Sequence, residues 1–224
     1  MFEIAPAKET LMSDDVPDRH WQKVGIDLLT HKSIDYVITV DYFSNFWEID
    51  QLNRTTSNAV IKKIKAHFSR YGIPTTVMTD NGPQFTAEEF RKFAQKYDFE
   101  HVTSSPHYPR SNGKVEAAVK SAKRMLKKTR ESGADQYMAL LDIRNTPTSD
   151  LPSPAQRLMN RRTRTLLPMT DRLLEPALRT HTTSKLQYAK YQQAAYYNRN
   201  AKNLAVLERR QCSKDEAILS KCHM

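Results

Sequence analysis

Residues 36–43 read YVITVDYF, an almost continuous run of apolar, β-branched and aromatic side chains. A run of this kind suits a strand covered on both faces, because a half-solvated strand would alternate instead. Upstream, KVGIDLL at 23–29 does alternate: Val24, Ile26 and Leu28 fall on one face, Gly25, Asp27 and Leu29 on the other. Downstream, after a turn at Ser44-Asn45, residues 46–52 (FWEIDQL) read as a third short strand. Three strands with short links predict an antiparallel meander.

Past Leu52 the period changes from two to 3.6. Ile61, Ile64, Phe68 and Tyr71 share a helix face, with capping candidates Thr55, Thr56 and Ser57 before it and Gly72 after it. Residues 75–79 read as a fourth strand that ends at Asp80 and turns through Asn81-Gly82-Pro83, where Gly82 is free to take positive φ. Thr86-Ala87-Glu88-Glu89 has the pattern of a capping box, opening a helix whose apolar stripe is Phe90, Phe93, Ala94 and Tyr97. Residues 99–103 predict a fifth strand, 104–113 (SSPHYPRSNG) a loop, 114–130 a long helix and 135–144 another. A tyrosine-rich helical segment is expected over 184–202, with Tyr188, Tyr191, Tyr196 and Tyr197 covering a helix interface. The order βββ-α-β-α-β-α-α implies an α/β domain, a mixed five-stranded sheet with helices against it.

The composition narrows the class. No stretch approaches the ~18 consecutive apolar residues of a membrane span, and the start, MFEIAPAKET, lacks the pattern of a secretory signal. The two cysteines, Cys212 and Cys222, are too far along the chain to staple a core, which implies a reducing compartment. No C-x-x-C pair is present, so a structural zinc module is not expected. The formal net charge is +10, and it is clustered. Residues 107–130 hold eight basic residues and one acid, Glu116, and Arg157, Arg161, Arg162 and Arg164 follow without an acid among them. Such clustering is the footprint of a polyanionic partner, although a solvated helix face would look the same.

The long helix gives Asp80 a context. Val115, Ala118, Val119, Ala122 and Leu126 form its predicted buried stripe, and Glu116, Lys120, Lys123 and Lys127 share a second face. Glu116 in that row is either a simple i,i+4 partner of Lys120 or a metal ligand beside a nucleic-acid stripe. Asp27, inside a strand, is costly to bury without a cation or donors. If Asp27, Asp80 and Glu116 converge, they would hold one or two Mg²⁺, or Mn²⁺, which prefer oxygen ligands and promote phosphodiester displacement. Solvent-facing aspartates at strand ends are common, so the structural reading stands beside the catalytic one.

The motifs GIDLL, VDYFSNF, GIPTTVMTDNGPQF, SSPHYPRSNGKVE and LLDIRNTPTSDLPSPAQRLMNRRTRTLLP resemble the integrase core of gypsy-type LTR retrotransposons. That family has a ribonuclease H-like fold and shares a D,D-35-E triad with retroviral integrases. Here 35 residues, 81–115, separate Asp80 from Glu116. The resemblance covers about residues 15 to 205 and implies that Asp27, Asp80 and Glu116 are catalytic and hold two Mg²⁺ or Mn²⁺ ions. It implies DNA contacts at Asn112, Lys114, Lys120, Lys123, Lys127, Arg161 and Arg162. Asp41, at the end of the second strand, is expected to be a structural or supporting acid, and His107, whose loop leads into Glu116, a supporting residue near the site. His101 is expected to be a packed or solvated histidine, with a place near the site as the alternative.

The same resemblance implies 3′-end processing and strand transfer on element and target DNA, a homo-oligomer, no membrane, and a nuclear or intracellular location. The organisation it suggests is a lead-in at 1–14, a core at 15–165, a basic, tyrosine-rich helical extension at 166–205, and an unassigned tail at 206–224. The family's zinc-binding and β-barrel flanks have no counterpart in this sequence. A second reading is therefore a truncated or host-adopted DNA-binding remnant without efficient catalysis. A ribonuclease H acting on hybrids fits the fold but not the 35-residue spacing or SNGKVE.

Overall fold

The computed structural model describes residues 16–104, 113–148, 151–177 and 182–199. Residues 13–191 form one compact unit, and of a second unit, 1–12 with 192–224, only 192–199 are described. The first unit is built on a five-stranded sheet ordered β3-β2-β1-β4-β5. Its strands are β1 (Lys23–His31), β2 (Ile34–Asp41), β3 (Trp47–Leu52), β4 (Thr76–Thr79) and β5 (Glu100–Thr103). β1, β2 and β3 form the expected antiparallel meander, and β4 and β5 add in parallel beside β1.

Two apolar layers sandwich this sheet. On one face Val24, Ile26, Val37 and Val77 meet α1 (Ser57–Tyr71), α2 (Pro83–Thr86) and α3 (Glu88–Tyr97) through Ile64, Phe68, Phe85, Phe90 and Phe93. On the other face Leu29, Ile38, Val40 and Met78 meet α4 (Gly113–Ser132) and α5 (Gln136–Asn145) through Val115, Ala122, Met125 and Leu140. The central run 36–43 is buried because it serves both layers: Tyr36, Ile38 and Val40 face α4, Val37 faces α1. Each such fully buried aliphatic side chain contributes about 1.5–3 kcal/mol.

Helix ends follow local chemistry. Thr56 caps α1 by accepting the Ala59 N–H, and the Gly72 N–H, at φ 93°, returns to the Phe68 carbonyl. The capping box expected at Thr86 does not form. Pro83 starts the extra turn α2, the Thr86 hydroxyl donates back to the Gly82 carbonyl, and Ala87 becomes the cap of α3 with no side-chain bond. Gly82 is not left-handed either, with φ −58°.

The chain after α5 departs most from expectation. Ser153 and Gln156 make a reciprocal capping box at the start of α6 (Pro154–Met159). Arg157 on that helix is only 3% exposed, so it is a core residue and not part of a surface arginine cluster. Residues 160–177 form a closed loop, with the Ala177 N–H bonded to the Asn160 carbonyl at 2.9 Å. The boundary expected at 165/166 falls inside this loop. α7 (Thr182–Asn198) is helical as expected, but Tyr188, Tyr191 and Tyr196 are exposed and cover no interface within the described residues.

Candidate active site

The parallel register of β1 and β4 pairs Gly25 with Met78. Two residues further along each chain are Asp27 and Asp80, so both aspartates reach the same level of the sheet. Side chains alternate along a strand, which puts Asp27 with Leu29, and Asp80 with Met78, on the α4 side. Glu116 lies in the first turn of α4, exposed beside the buried Val115. The helix can approach the sheet there because β1 carries a glycine. A Cβ on Gly25 would come within 2.1 Å of Val115 Cγ2 and 2.8 Å of the Tyr42 ring. Gly25 thus permits the contact that sets the height of Glu116 above Asp27, and a lone glycine in a strand was its sequence signal.

The electrostatics of Asp27 register the result. Burial pushes its carboxyl up to about 6, against a hydrogen bond from the Leu28 N–H to Oδ1 at 2.7 Å. The negative charges of Asp80 and Glu116 push it further the same way, and Lys123 opposes them. The three acids and Lys123 therefore act within one local field. Asp80 is held by its own turn: its Oδ1 accepts the Gly82 N–H at 3.0 Å. A Cβ on Gly82 would stand 3.0 Å from that oxygen, so the glycine serves close approach rather than a left-handed turn. Asn81 donates to the Ser104 carbonyl at 3.1 Å, tying the turn to the end of β5.

A group that burial and two neighbouring negative charges drive toward neutrality is one that a hard cation would return to its ionised form. The donor set, three carboxylates and no sulfur or imidazole, fits Mg²⁺ or Mn²⁺ in kind. Among the described residues no three His, Cys, Asp or Glu side chains stand close enough together to enclose an ion as placed.

The other expected site residues divide into five cases. Lys120 and Lys123 are exposed on the same face as Glu116, and Lys127 is exposed with Glu131 4.0 Å away. Lys114 is turned inward: its ammonium donates to the Tyr42 carbonyl and lies 5.7 Å from the centre of the Tyr42 ring. It anchors the start of α4 to the end of β2. Arg161 and Arg162 are half-buried at the base of the 160–177 loop. Asn112 and His107 lie outside the described residues.

Asp41 is a structural acid. It is fully buried and accepts the backbone N–H groups of Trp21, Phe43 and Ser44. The Arg157 guanidinium, whose pKa burial lowers to about 10, feels its charge, whereas Asp41 is not among the charges acting on Asp27. His101 is packed on the Phe90 ring, 4.7 Å between centres, with Nε2 2.9 Å from the Thr79 hydroxyl. Burial lowers its pKa. The sequence reading missed a buried line from Thr39 through His67 to Asp50, with bonds of 2.8 and 2.9 Å, that joins α1 to β2 and β3.

Residues 17–109 match the family described as integrase core domain. That stretch contains Asp27 and Asp80 and stops short of Glu116. An uncharacterised protein of Caenorhabditis elegans is 33% identical over 170 residues, 71% of this chain and 13% of that protein. The Gag-Pol polyprotein of avian reticuloendotheliosis virus is 31% identical over 150 residues, 63% of this chain and 13% of its own length. The chain thus spans a small fraction of the curated relatives it matches.

Among solved structures, the simian T-cell lymphotropic virus intasome in complex with the PP2A regulatory subunit B56 gamma aligns at TM-score 0.61 and 20% identity. It covers 79% of this chain and 66% of that one. The catalytic core domain of BIV integrase aligns at TM-score 0.54 and 21% identity, covering 62% of this chain and 94% of that one. The fold is therefore the ribonuclease H-like α/β sandwich of integrase cores. The family match over residues 17–109 and the polyprotein relatives support a retroviral-type integrase catalytic core on this fold.

Proposed function

We propose that this chain is the catalytic core of a divalent-metal-dependent DNA integrase, with Asp27, Asp80 and Glu116 as the ligands of Mg²⁺ or Mn²⁺. The observation that carries the reading is the shared field of the three acids on one face of the sheet, expressed in the raised pKa of Asp27. Bound there, the ions would supply activation of an attacking oxygen and charge stabilisation at the phosphodiester. The protein's own residues do the rest. Asp27 and Asp80 are fixed by the parallel register, and Glu116 by the Gly25–Val115 contact. Lys120, Lys123 and Lys127 continue the Glu116 face and would meet DNA phosphates, an attraction weakened by salt.

The reaction would be an in-line displacement at phosphorus, in which one P–O bond forms as another breaks. Water attacks first, near the 3′ end of element DNA; the freed 3′-hydroxyl then attacks target DNA. No enzyme nucleophile is required. Action in the nucleus and assembly of several copies on DNA go with this reading. The intasome, and the dimeric and trimeric forms of the HTLV-2 integrase catalytic core domain in complex with magnesium, support assembly on DNA by analogy.

The test is a strand-transfer assay on a branched DNA that needs only the core, in Mg²⁺ and in Mn²⁺. Wild type should join strands, and Glu116→Gln should lose roughly a hundredfold or more, the several kcal/mol a metal ligand supplies. Silence from both, with salt-sensitive DNA binding intact, would instead identify a DNA-binding remnant.

A further inference from the structure

The loop 160–177 presents two leucines to solvent on a rigid base. Asn160, at φ 58°, ends α6, and its carbonyl accepts the Ala177 N–H at 2.9 Å. The Arg162 N–H closes a second rung on the Leu173 carbonyl at 2.9 Å. The Thr163 N–H donates to Asn145 Oδ1 at 2.9 Å, and Asn145 Nδ2 donates back to the Thr163 hydroxyl at 2.6 Å. Asn145 is itself buried at the end of α5, so the loop is pinned to the domain at Thr163. At the tip the Leu167 N–H donates to the Thr165 hydroxyl at 3.2 Å, which turns the leucines outward. Leu166 is 86% exposed and Leu167 69%.

The surrounding charge selects the partner. Arg161, Arg162 and Arg164 precede the leucines, and no acid occurs between Arg157 and Thr170. Arg164 is exposed, with no ion pair among the described residues. An apolar tip flanked by cations fits a surface whose apolar interior is bounded by anions. A DNA duplex is such a surface: stacked bases between phosphate rows. Proteins that kink DNA insert Leu, Met or Pro side chains between base steps and hold the backbone with arginine. Residues 161–169, RRTRTLLPM, offer this combination on one loop.

We propose that Leu166 and Leu167 form a wedge that enters a base step of duplex DNA and unstacks it, with Arg161, Arg162 and Arg164 on the flanking phosphates. The inference rests on the DNA reading above and adds a way of deforming the duplex it acts on. Flexible pyrimidine–purine steps would be the preferred sites of entry.

The test uses the full chain and a short duplex carrying 2-aminopurine at a central TA step. Fluorescence reports unstacking and anisotropy reports binding. Wild type should bind and raise the fluorescence severalfold. Leu166→Ser with Leu167→Ser should bind with an unchanged salt slope but lose most of the rise, and Leu166→Met with Leu167→Met should keep it. Arg164→Ala should reduce the salt slope by about one yet keep the rise per complex formed. Binding without a rise, or a rise that survives the serine pair, would overturn the wedge alone. A serine pair that changes the oligomeric state by light scattering and leaves the fluorescence intact would assign the leucines to a protein contact. Failure of wild type to bind DNA at all would overturn the DNA reading together with the wedge.

Discussion

At the scale of single residues, Asp27 carries a conflict between stability and chemistry. Its carboxyl is raised from 3.8 to about 6 in the native state, chiefly by burial. Its contribution to stability is therefore complete below pH 3.8 and is lost as the pH rises through about 6. Above that window the metal-free protein holds a carboxylate its surroundings resist. Asp27→Asn in EDTA should accordingly be more stable than wild type at pH 8, by about 1–2 kcal/mol after discounting partial exposure. The gain should vanish by pH 4. Mg²⁺ should raise the melting temperature of wild type at pH 8 and barely move the variant. Thermal melts in the two buffers decide it; a variant less stable than wild type at pH 8 without metal would refute the electrostatic account. The identity of Asp27 as a candidate was visible in VGIDLL, but its raised pKa was not, because that depends first on burial by the assembled fold and then on Asp80 and Glu116, 53 and 89 positions away.

At the scale of elements, the decisive contact is that of α4 with β1. The helix stripe was legible from spacing: Val115, Ala118, Ala122 and Leu126 are buried, and Glu116, Lys120, Lys123 and Lys127 are exposed. Spacing could not tell how close the helix lies, since that is set by the absence of a side chain at Gly25. Gly25→Ala should force Val115 and Tyr42 apart and cost about 1–3 kcal/mol, as overpacking does. Strand transfer should fall by more than stability predicts, because Glu116 rides on the residue displaced. A variant that retains full activity at a temperature where it is folded would show that the approach does not position the acid. Local signals also misled. Thr86-Ala87-Glu88-Glu89 satisfies the capping-box pattern, yet Pro83 claims Thr86 for an earlier turn. Lys114 looks like one more cation in a basic helix, yet it is committed to the Tyr42 carbonyl.

At the scale of the molecule, a polar line crosses one of the two apolar layers. His67 on α1 is fully buried between the Thr39 hydroxyl of β2 and the Asp50 carboxylate of β3. The His67 hydrogen bond, and the charges of His67, Lys63 and Arg70, hold the Asp50 pKa below its usual value despite burial. That stabilisation is present above pH 3.8 and is lost as the pH falls through the lowered value. Asp50→Asn should therefore flatten the acid limb of the melting temperature against pH while leaving the limb above pH 6 nearly unchanged in slope. A full-length pH series of melts on both proteins checks this; an acid limb as steep in the variant as in wild type would sink it.

Periodicity and turn chemistry determined by themselves the meander, α1, α4, α5, the buried stripe of α4 and the candidacy of Asp27, Asp80 and Glu116. These are local properties: a side chain's face follows from its spacing along its own strand or helix. Tertiary structure alone decided that Asp41 supports a turn, that Arg157 is buried, and that Lys114 points inward. It also decided that Leu166 and Leu167 stand on a pinned loop instead of in a helix. Each of those outcomes is set by partners distant in sequence, whose hydrogen bonds and bulk fix where a side chain can go, and no local pattern encodes them.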